Sequence, residues 1–396
     1  MPRLATLFFL SLAIYACQMD TPDADIDHAA TIIESIRQEY APDKRVAIWE
    51  LEVNRAADGL ILKGKTNLGA AKADFQQKME TAGLNYIDSI EVLPSTELGK
   101  DVFGLVNLSA CNIRSNPKHS AELATQSTLG TVLRVWEKAG EWYRIQTPDG
   151  YLGWLDPGGF VPLDEKGLRD YQASQRVVYL PDMGFALEAP NMGSRKVSDL
   201  LAGNILVEIG KSGNYTQVRF PDGRLAYLPS GTLAPLKEWL DSRQATVSNI
   251  LEDAQAMLGR PYLWGGTSGK GMDCSGFTKT VFYLNGLLLP RDASQQVHVG
   301  KVIDTNDDIS NLQAGDLLFF GLEGNEERKE KITHVAIYMG DSKIIHATGQ
   351  VKIESLNPED DNFAPERLQT FVRAKRFLEN PEENGIPKLA SLPLYK

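Results

Sequence analysis

Cysteine is scarce in this chain: Cys17, Cys111 and Cys274 are the only three among 396 residues. They lie far apart and form no CxxC pair, which excludes a disulfide framework or a zinc ribbon and asks a separate explanation of each. Basic runs are also missing. With a net charge of -11 and no interleaving of Lys or Arg with aromatics, nucleic acid is excluded as the main partner, because phosphate binding needs a basic surface. No apolar run has the length of a bilayer span. What the chain does have is 42% hydrophobic and 23% charged residues, enough apolar material for several cores. Its length suggests two to four domains.

The N-terminus places Arg3 before L-A-T-L-F-F-L-S-L-A-I-Y-A. A positive start with an apolar core too short to cross a membrane reads as an export signal over residues 1–17. Ile14-Tyr15-Ala16-Cys17 resembles a bacterial lipobox, with Tyr15 departing from the usual small residue. That resemblance implies lipidation of Cys17 and an exported, periplasmic or membrane-anchored protein; the alternative is plain secretion with a later cleavage site.

Residues 24–98 read as a small α/β module. A helix is expected over 29–40 from Ile32, Ile33 and Ile36. The strands V-A-I-W-E-L-E-V and G-L-I-L-K-G-K-T are followed by a second helix over 70–82 and a strand in I-D-S-I-E-V-L-P. No catalytic constellation is visible there. Further on, a shift of 73 residues superposes like on like: Pro117 on Pro190, Gly130 on Gly203, Gly140 on Gly213, Trp142 on Tyr215, P-D-G at Pro148 on P-D-G at Pro221 and Trp154 on Tyr227. Short alternating runs broken by Gly, Pro and Asp predict two similar β-barrels in tandem, over 101–165 and 173–237. The run G-E-W-Y-R-I-Q-T-P-D-G-Y-L-G-W resembles a bacterial SH3-like domain. The resemblance implies wall-binding modules or walls of a neighbouring site; core packing is the alternative for any single aromatic. Cys111, in an expected barrel strand, reads as core.

The chemistry concentrates after residue 245. Cys274 stands where a Gly-rich loop, G-M-D-C-S-G-F, gives way to an expected helix. A thiol there meets the positive end of a helix dipole and free backbone N–H groups, which favour thiolate and can form part of an oxyanion hole. T-H-V-A-I-Y-M, carrying His334, and I-I-H-A-T, carrying His346, flank the turn G-D-S-K and predict a hairpin. A register of even index sum would set the two histidines diagonally on one face, about 7–8 Å apart by Cα. His346 would then orient His334 as a third group orients the base of a triad. The alternatives are a buried apolar cysteine, structural histidines, or a zinc held by Cys274, His334 and His346, for which no metal-type spacing or acidic support is visible.

Together P-Y-L-W-G-G, D-C-S-G-F, L-P-R-D-A-S-Q-Q, A-G-D-L-L-F-F and H-V-A-I-Y-M-G resemble the NlpC-type family of cell-wall cysteine peptidases over about 245–378, ahead of a tail over 379–396. The resemblance implies a multidomain α+β protein: a papain-like α+β catalytic domain preceded by two SH3-like barrels and the small α/β module. It assigns Cys274 as nucleophile, His334 as base and His346 as third member. Tyr262 borders the site, and Asp273 and Ser275 flank the nucleophile and bind substrate. Relatives with two such barrels act on muropeptides with a free N-terminal L-Ala. By that likeness Asp292 and Glu122 hold the terminal amine and Tyr151 closes the pocket. Ala293 stands where relatives carry Ser. The implied substrate is the γ-D-glutamyl to diamino-acid bond of peptidoglycan stem peptides, cut without metal or organic cofactor. Two competing readings are an N-acetylmuramoyl-L-alanine amidase or acyltransferase on the same triad, and a non-catalytic wall-binding lipoprotein.

Overall fold

A computed structural model of the chain describes residues 23–56, 59–305 and 309–395; the expected export signal and Cys17 lie outside the described residues. Two units separate. One runs to Pro42 and resumes over Trp49–Glu91, and the other comprises Asp43–Ile48 and the chain from Val92 onward.

In the smaller unit, α1 (Ala24–Tyr40) and α2 (Gly69–Thr81) accompany a sheet of order β1-β2-β3, formed by β1 (Trp49–Ala56), β2 (Gly59–Thr66) and β3 (Tyr86–Val92). Asp23 caps α1 by accepting the N–H groups of Asp25 and Ile26. Ile32 and Ile36, one turn apart, are buried. Trp49 lies edge-on to Phe75 at 6.0 Å and donates its indole N–H to Ile33 O at 3.1 Å. The first strand was expected from Val46, but it begins at Trp49. The preceding residues belong to the other unit, where Leu152 N–H donates to Arg45 O at 2.7 Å and Ile48 is buried with Leu93 and Leu152.

The larger unit starts with two seven-stranded sheets. The first contains β4 (Phe103–Val106), β5 (Ala110–Arg114), β6 (Leu123–Thr128), β7 (Val132–Ala139), β8 (Trp142–Gln146), β9 (Leu152–Leu155) and β10 (Phe160–Leu163), in the order β10-β4-β7-β8-β9-β5-β6. After the connecting helix α3 (Glu165–Gln172), the second contains β11 (Arg176–Tyr179), β12 (Met183–Leu187), β13 (Lys196–Leu201), β14 (Ile205–Ser212), β15 (Tyr215–Arg219), β16 (Leu225–Pro229) and β17 (Leu233–Pro235). Its order, β13-β12-β16-β15-β14-β11-β17, is that of the first sheet read from the other end. Each strand starts 73 residues after its counterpart, 103 to 176 and 132 to 205 for example. The sequence repeat is therefore a repeat of topology. Cys111 is buried in the first of these β-domains among Ile113, Val135 and Leu155.

The last region follows α4 (Leu236–Ser242) and α5 (Val247–Gln255). A short pair, β18 (Thr267–Ser268) and β19 (Gly271–Met272), leads into α6 (Cys274–Leu284) and α7 (Ala293–Gln296). A six-stranded sheet follows, with α8 (Pro365–Gln369) before its last strand. It comprises β20 (Lys301–Ile303), β21 (Leu317–Leu322), β22 (Lys331–Gly340), β23 (Lys343–Thr348), β24 (Gln350–Ser355) and β25 (Phe371–Arg376), in the order β20-β25-β21-β22-β23-β24. The apolar face of α6, through Phe277, Val281 and Phe282, shares one core with Val335, Ile337 and Ile345 of the sheet. Each such side chain contributes about 1.5–3 kcal/mol on burial, so the helix carrying Cys274 is held firmly. The segment beyond residue 378, expected as a tail, instead folds back. Ile386 and Leu389 are fully buried, and Tyr395 joins a core with Tyr171, Trp239 and Leu288. The apolar residues of I-P-K-L-A-S-L-P-L-Y supply that buried face.

Candidate active site

Asp273 is the N-cap of α6: its carboxylate accepts the Gly276 N–H at 2.7 Å, which starts the helix on the residue after it and sets Cys274 at the first turn. The close approach of the preceding loop requires glycine at 276, since a Cβ there would meet Gly266 O at 2.0 Å. Cys274 is buried. Its sulfur is near the backbone N–H groups of Val335 and Ser275, which favour thiolate. Burial is the larger influence, followed by the Asp273 carboxylate, and the thiol is pushed up to about 11. Where the sequence suggested a depressed thiol, burial and the Asp273 carboxylate raise it and outweigh the backbone N–H groups of Val335 and Ser275.

The histidines come from the hairpin β22–β23. Asp341 and Ser342 both adopt positive φ, 47° and 58°, in a two-residue loop. Ile337 pairs with Ile345 and Tyr338 with Ile344, an even index sum that sets His334 and His346 on one face. His334 Nε2 and His346 Nδ1 are 2.7 Å apart, and His346 Nε2 is 2.8 Å from Glu354 Oε2 on β24. Glu354 is held at about 2, chiefly by the His346 hydrogen bond, so it is ionised and can only accept. His346 then donates from Nε2 and accepts at Nδ1, and His334 donates from Nε2. This chain of bonds leaves the lone pair of His334 on Nδ1, free to take a proton. Burial, followed by the neighbouring His346 and Arg367, holds His334 well below its ordinary 6.5, and burial lowers His346 too. Thiol and imidazole are therefore both neutral at rest, with His334 unprotonated at neutral pH. Glu354 was missed in the sequence. The signal available was its place on the strand after His346, where residues 346 and 354 are diagonal neighbours.

Cys274 opens onto a cleft of about 540 Å³. Tyr262 borders it, half-buried, with burial raising its phenol to about 12, so it remains a hydrogen-bond donor. Asp273 and Ser275 line the cleft, yet their polar atoms are already engaged. Arg291, buried, donates to Asp273 at 2.6 and 3.1 Å and to Ser275 Oγ at 3.0 Å. Removing either charge would strand the other out of water, at a cost of about 3–5 kcal/mol. Their observed role is to fix the loop that presents Cys274.

Away from the sulfur the cleft gathers Glu122, Tyr151 and Asp292. Tyr151 donates its hydroxyl to Asp292 Oδ2 at 3.0 Å. Arg45, which had no expected role, donates to the same oxygen at 2.7 Å. Glu122 accepts the indole N–H of Trp264, a residue of the P-Y-L-W-G-G run. Ala293 and Ser294 also line this wall. Among the described residues no group of three His, Cys, Asp or Glu side chains is arranged to hold a metal.

Residues 259–368 match the NlpC/P60 family, and residues 113–158 match the bacterial dipeptidyl-peptidase SH3 domain. The γ-D-glutamyl-L-lysine dipeptidyl-peptidase of Bacillus cereus is 27% identical over 274 residues, covering 65% of this chain and 76% of that protein. Dipeptidyl-peptidase 6 of Lysinibacillus sphaericus is 29% identical over 272 residues, covering 66% and 94%. The crystal structure of an NlpC/P60 family protein from Bacillus cereus superposes with a TM-score of 0.58 at 23% identity, covering 70% of this chain and 99% of that one; this likeness establishes a shared fold. The chain is a multidomain protein of mixed helix and sheet that joins a bacterial dipeptidyl-peptidase SH3 domain to an NlpC/P60 domain.

Proposed function

We propose that this protein is a cysteine peptidase that hydrolyses the γ-D-glutamyl to diamino-acid bond of peptidoglycan stem peptides bearing a free N-terminal L-Ala, releasing L-Ala-γ-D-Glu. The observation that carries this reading is one cleft lined by Cys274 together with Glu122, Tyr151 and Asp292, the Cys274 sulfur lying by the backbone N–H of Val335, next to the His334 that begins the chain His334–His346–Glu354. The names of the relatives agree with it.

The mechanism follows from the protonation states. His334 Nδ1 takes the Cys274 proton as the sulfur attacks the γ-glutamyl carbonyl, and the imidazolium that forms is stabilised through His346 by the Glu354 carboxylate. The Cys274 backbone N–H and the Tyr262 hydroxyl stabilise the oxyanion. The imidazolium then protonates the departing diamino-acid amine, leaving an acyl-enzyme. Water activated by His334 releases the dipeptide and restores the thiol. At the far wall, Glu122 and Asp292 bind the substrate ammonium, whose charge they complement. Within this reading the region after residue 245 is a papain-like domain, and the second β-domain is a further SH3-like barrel. Residues 1–17 direct export, and Cys17 carries a lipid anchor at a bacterial membrane.

Incubation of the chain from residue 18 onward, freed of the expected export signal and here called the soluble chain, with L-Ala-γ-D-Glu-meso-diaminopimelate, read by mass spectrometry, tests the reaction. Release of L-Ala-γ-D-Glu that disappears in Cys274→Ala is expected. Cleavage only between N-acetylmuramic acid and L-Ala, on a muropeptide, would replace this reading by the amidase.

A further inference from the structure

The small unit is interrupted for six residues. The chain leaves after Pro42, runs Asp43–Ile48 within the larger unit and returns as β1. This strap is fastened on two sides. Towards the first β-domain, Arg45 O accepts the Leu152 N–H at 2.7 Å and Val46 O accepts Gln146 Nε2 at 2.8 Å. Towards α7, Gln295 Nε2 donates to Asp43 at 2.8 Å, while Arg45 Nη1 donates to Asp292 at 2.7 Å and to Ser294 Oγ at 2.9 Å. The rest of the Arg45 fork is held by Asp43, with Nη2 to oxygen at 2.8 Å. The guanidinium is held by two carboxylates and a hydroxyl, and it lines the cleft beside Tyr151 and Asp292.

We propose that Arg45 is a specificity-determining residue of the cleft, an end wall that admits a bare ammonium and shuts out an acylated amine. The proposal rests on the peptidase reading and deepens it. The Arg45 cation by itself opposes an ammonium, so what it contributes to the selection is shape and the placement of Asp292, one of the two carboxylates that supply the attraction. An ammonium is small and can enter the cleft that Glu122 and Asp292 line while Arg45 stays in place. An acyl group on the same nitrogen removes the charge and adds bulk that has to enter the space of the guanidinium. Displacing Arg45 would break its charged hydrogen bonds to Asp43 and Asp292 and leave them only the weaker contacts from Gln295 and Tyr151 and the longer ion pair with Arg291, a cost the blocked substrate cannot recover. The strap Asp43–Ile48 thus acts on specificity as part of the larger unit.

The test compares the soluble chain with Arg45→Ala and Arg45→Lys on L-Ala-γ-D-Glu-meso-diaminopimelate and its N-acetyl copy, with kcat and KM taken separately. Alongside, L-Ala-γ-D-Glu and N-acetyl-L-Ala-γ-D-Glu are titrated by calorimetry into Cys274→Ala, with and without Arg45→Ala. In Arg45→Ala the preference for the free amine, as a ratio of kcat/KM, is expected to fall about tenfold or more, mainly through a lower KM for the acetylated peptide. Arg45→Lys, which keeps the charge but not the fork, should be intermediate. Calorimetry should show the acetylated dipeptide gaining affinity. An unchanged preference in both measurements, or an equal loss on both peptides, overturns the proposal. Should the unaltered chain cut neither peptide while calorimetry still shows the gain, the peptidase reading falls and the end wall stands.

Discussion

The two β-domains share every strand, their order and their 73-residue spacing, yet they differ where loops meet their surroundings. In the first, Glu122 closes the hairpin β5–β6, lines the cleft and accepts the Trp264 indole, and Tyr151 bonds Asp292. In the second, the position equivalent to Glu122 is Arg195, exposed and paired with Glu188 at 2.5 Å. The equivalent of Tyr151 is Arg224, paired with Asp222 at 2.6 Å and lying over Phe220. The interiors have kept one solution because packing restricts them, whereas loop residues have been free to take separate tasks. One copy forms a wall of the cleft, and its twin reproduces the scaffold without those side chains.

Exchanging loop chemistry should break this comparison most strongly. Glu122→Arg gives the first domain the residue of the second and sets a cation where the proposed function has the substrate ammonium bind. A fall in kcat/KM of about 100-fold on the free-amine peptide is expected. The reciprocal Arg195→Glu should leave it within about twofold, since exposed pairs contribute little. Steady-state kinetics on both variants decides whether the first domain alone serves the substrate.

Glycine substitutions sharpen the comparison on stability. Gly130 and Gly203 are equivalent and share positive φ, 81° and 83°. A Cβ at 130 would meet the backbone oxygen of Ile205 at 2.3 Å, whereas one at 203 would meet the Tyr283 ring at 2.7 Å. A ring edge can yield and a strand carbonyl cannot. Gly130→Ala should therefore cost about 3 kcal/mol and Gly203→Ala about 1–2 kcal/mol, measured by urea denaturation.

The smallest effect concerns pH, which should separate both β-domains from the catalytic region. His119, in the first β-domain, is exposed, while His334 and His346 are buried and held below 6.5, chiefly by burial. A histidine whose folded value is depressed binds fewer protons folded than unfolded. The stability it contributes is complete above 6.5 and declines as pH falls below it. The melting temperature should drop from pH 7 to pH 5, and His334→Gln should flatten that slope. Activity should show its acid limb below 6.5 for the same reason, since the base must be neutral.

Much of this was legible in the chain itself. The 73-residue repeat required only that equivalent turns keep their Gly, Pro and Asp residues. Cys274 was marked by a Gly-rich loop ahead of an amphipathic helix, and the histidines by their places on a β-hairpin. Less legible were Arg45, 247 residues from its partner Asp292, and Glu354, whose role depends on β24 lying beside β23. The first strand of the small unit also began later than its pattern suggested, because Val46, Ala47 and Ile48 are as apolar as strand residues while belonging to another body.

Local pattern determined the elements, the domain order and the Cys-His-His set, because periodicity, turn residues and short motifs act over a few residues. Tertiary structure decided the charge states and the far wall of the cleft. Burial set the direction of the Cys274 and His334 shifts, and a strap distant in sequence was brought to Asp292. Desolvation and long-range contact depend on what surrounds a residue in space, which local pattern does not encode.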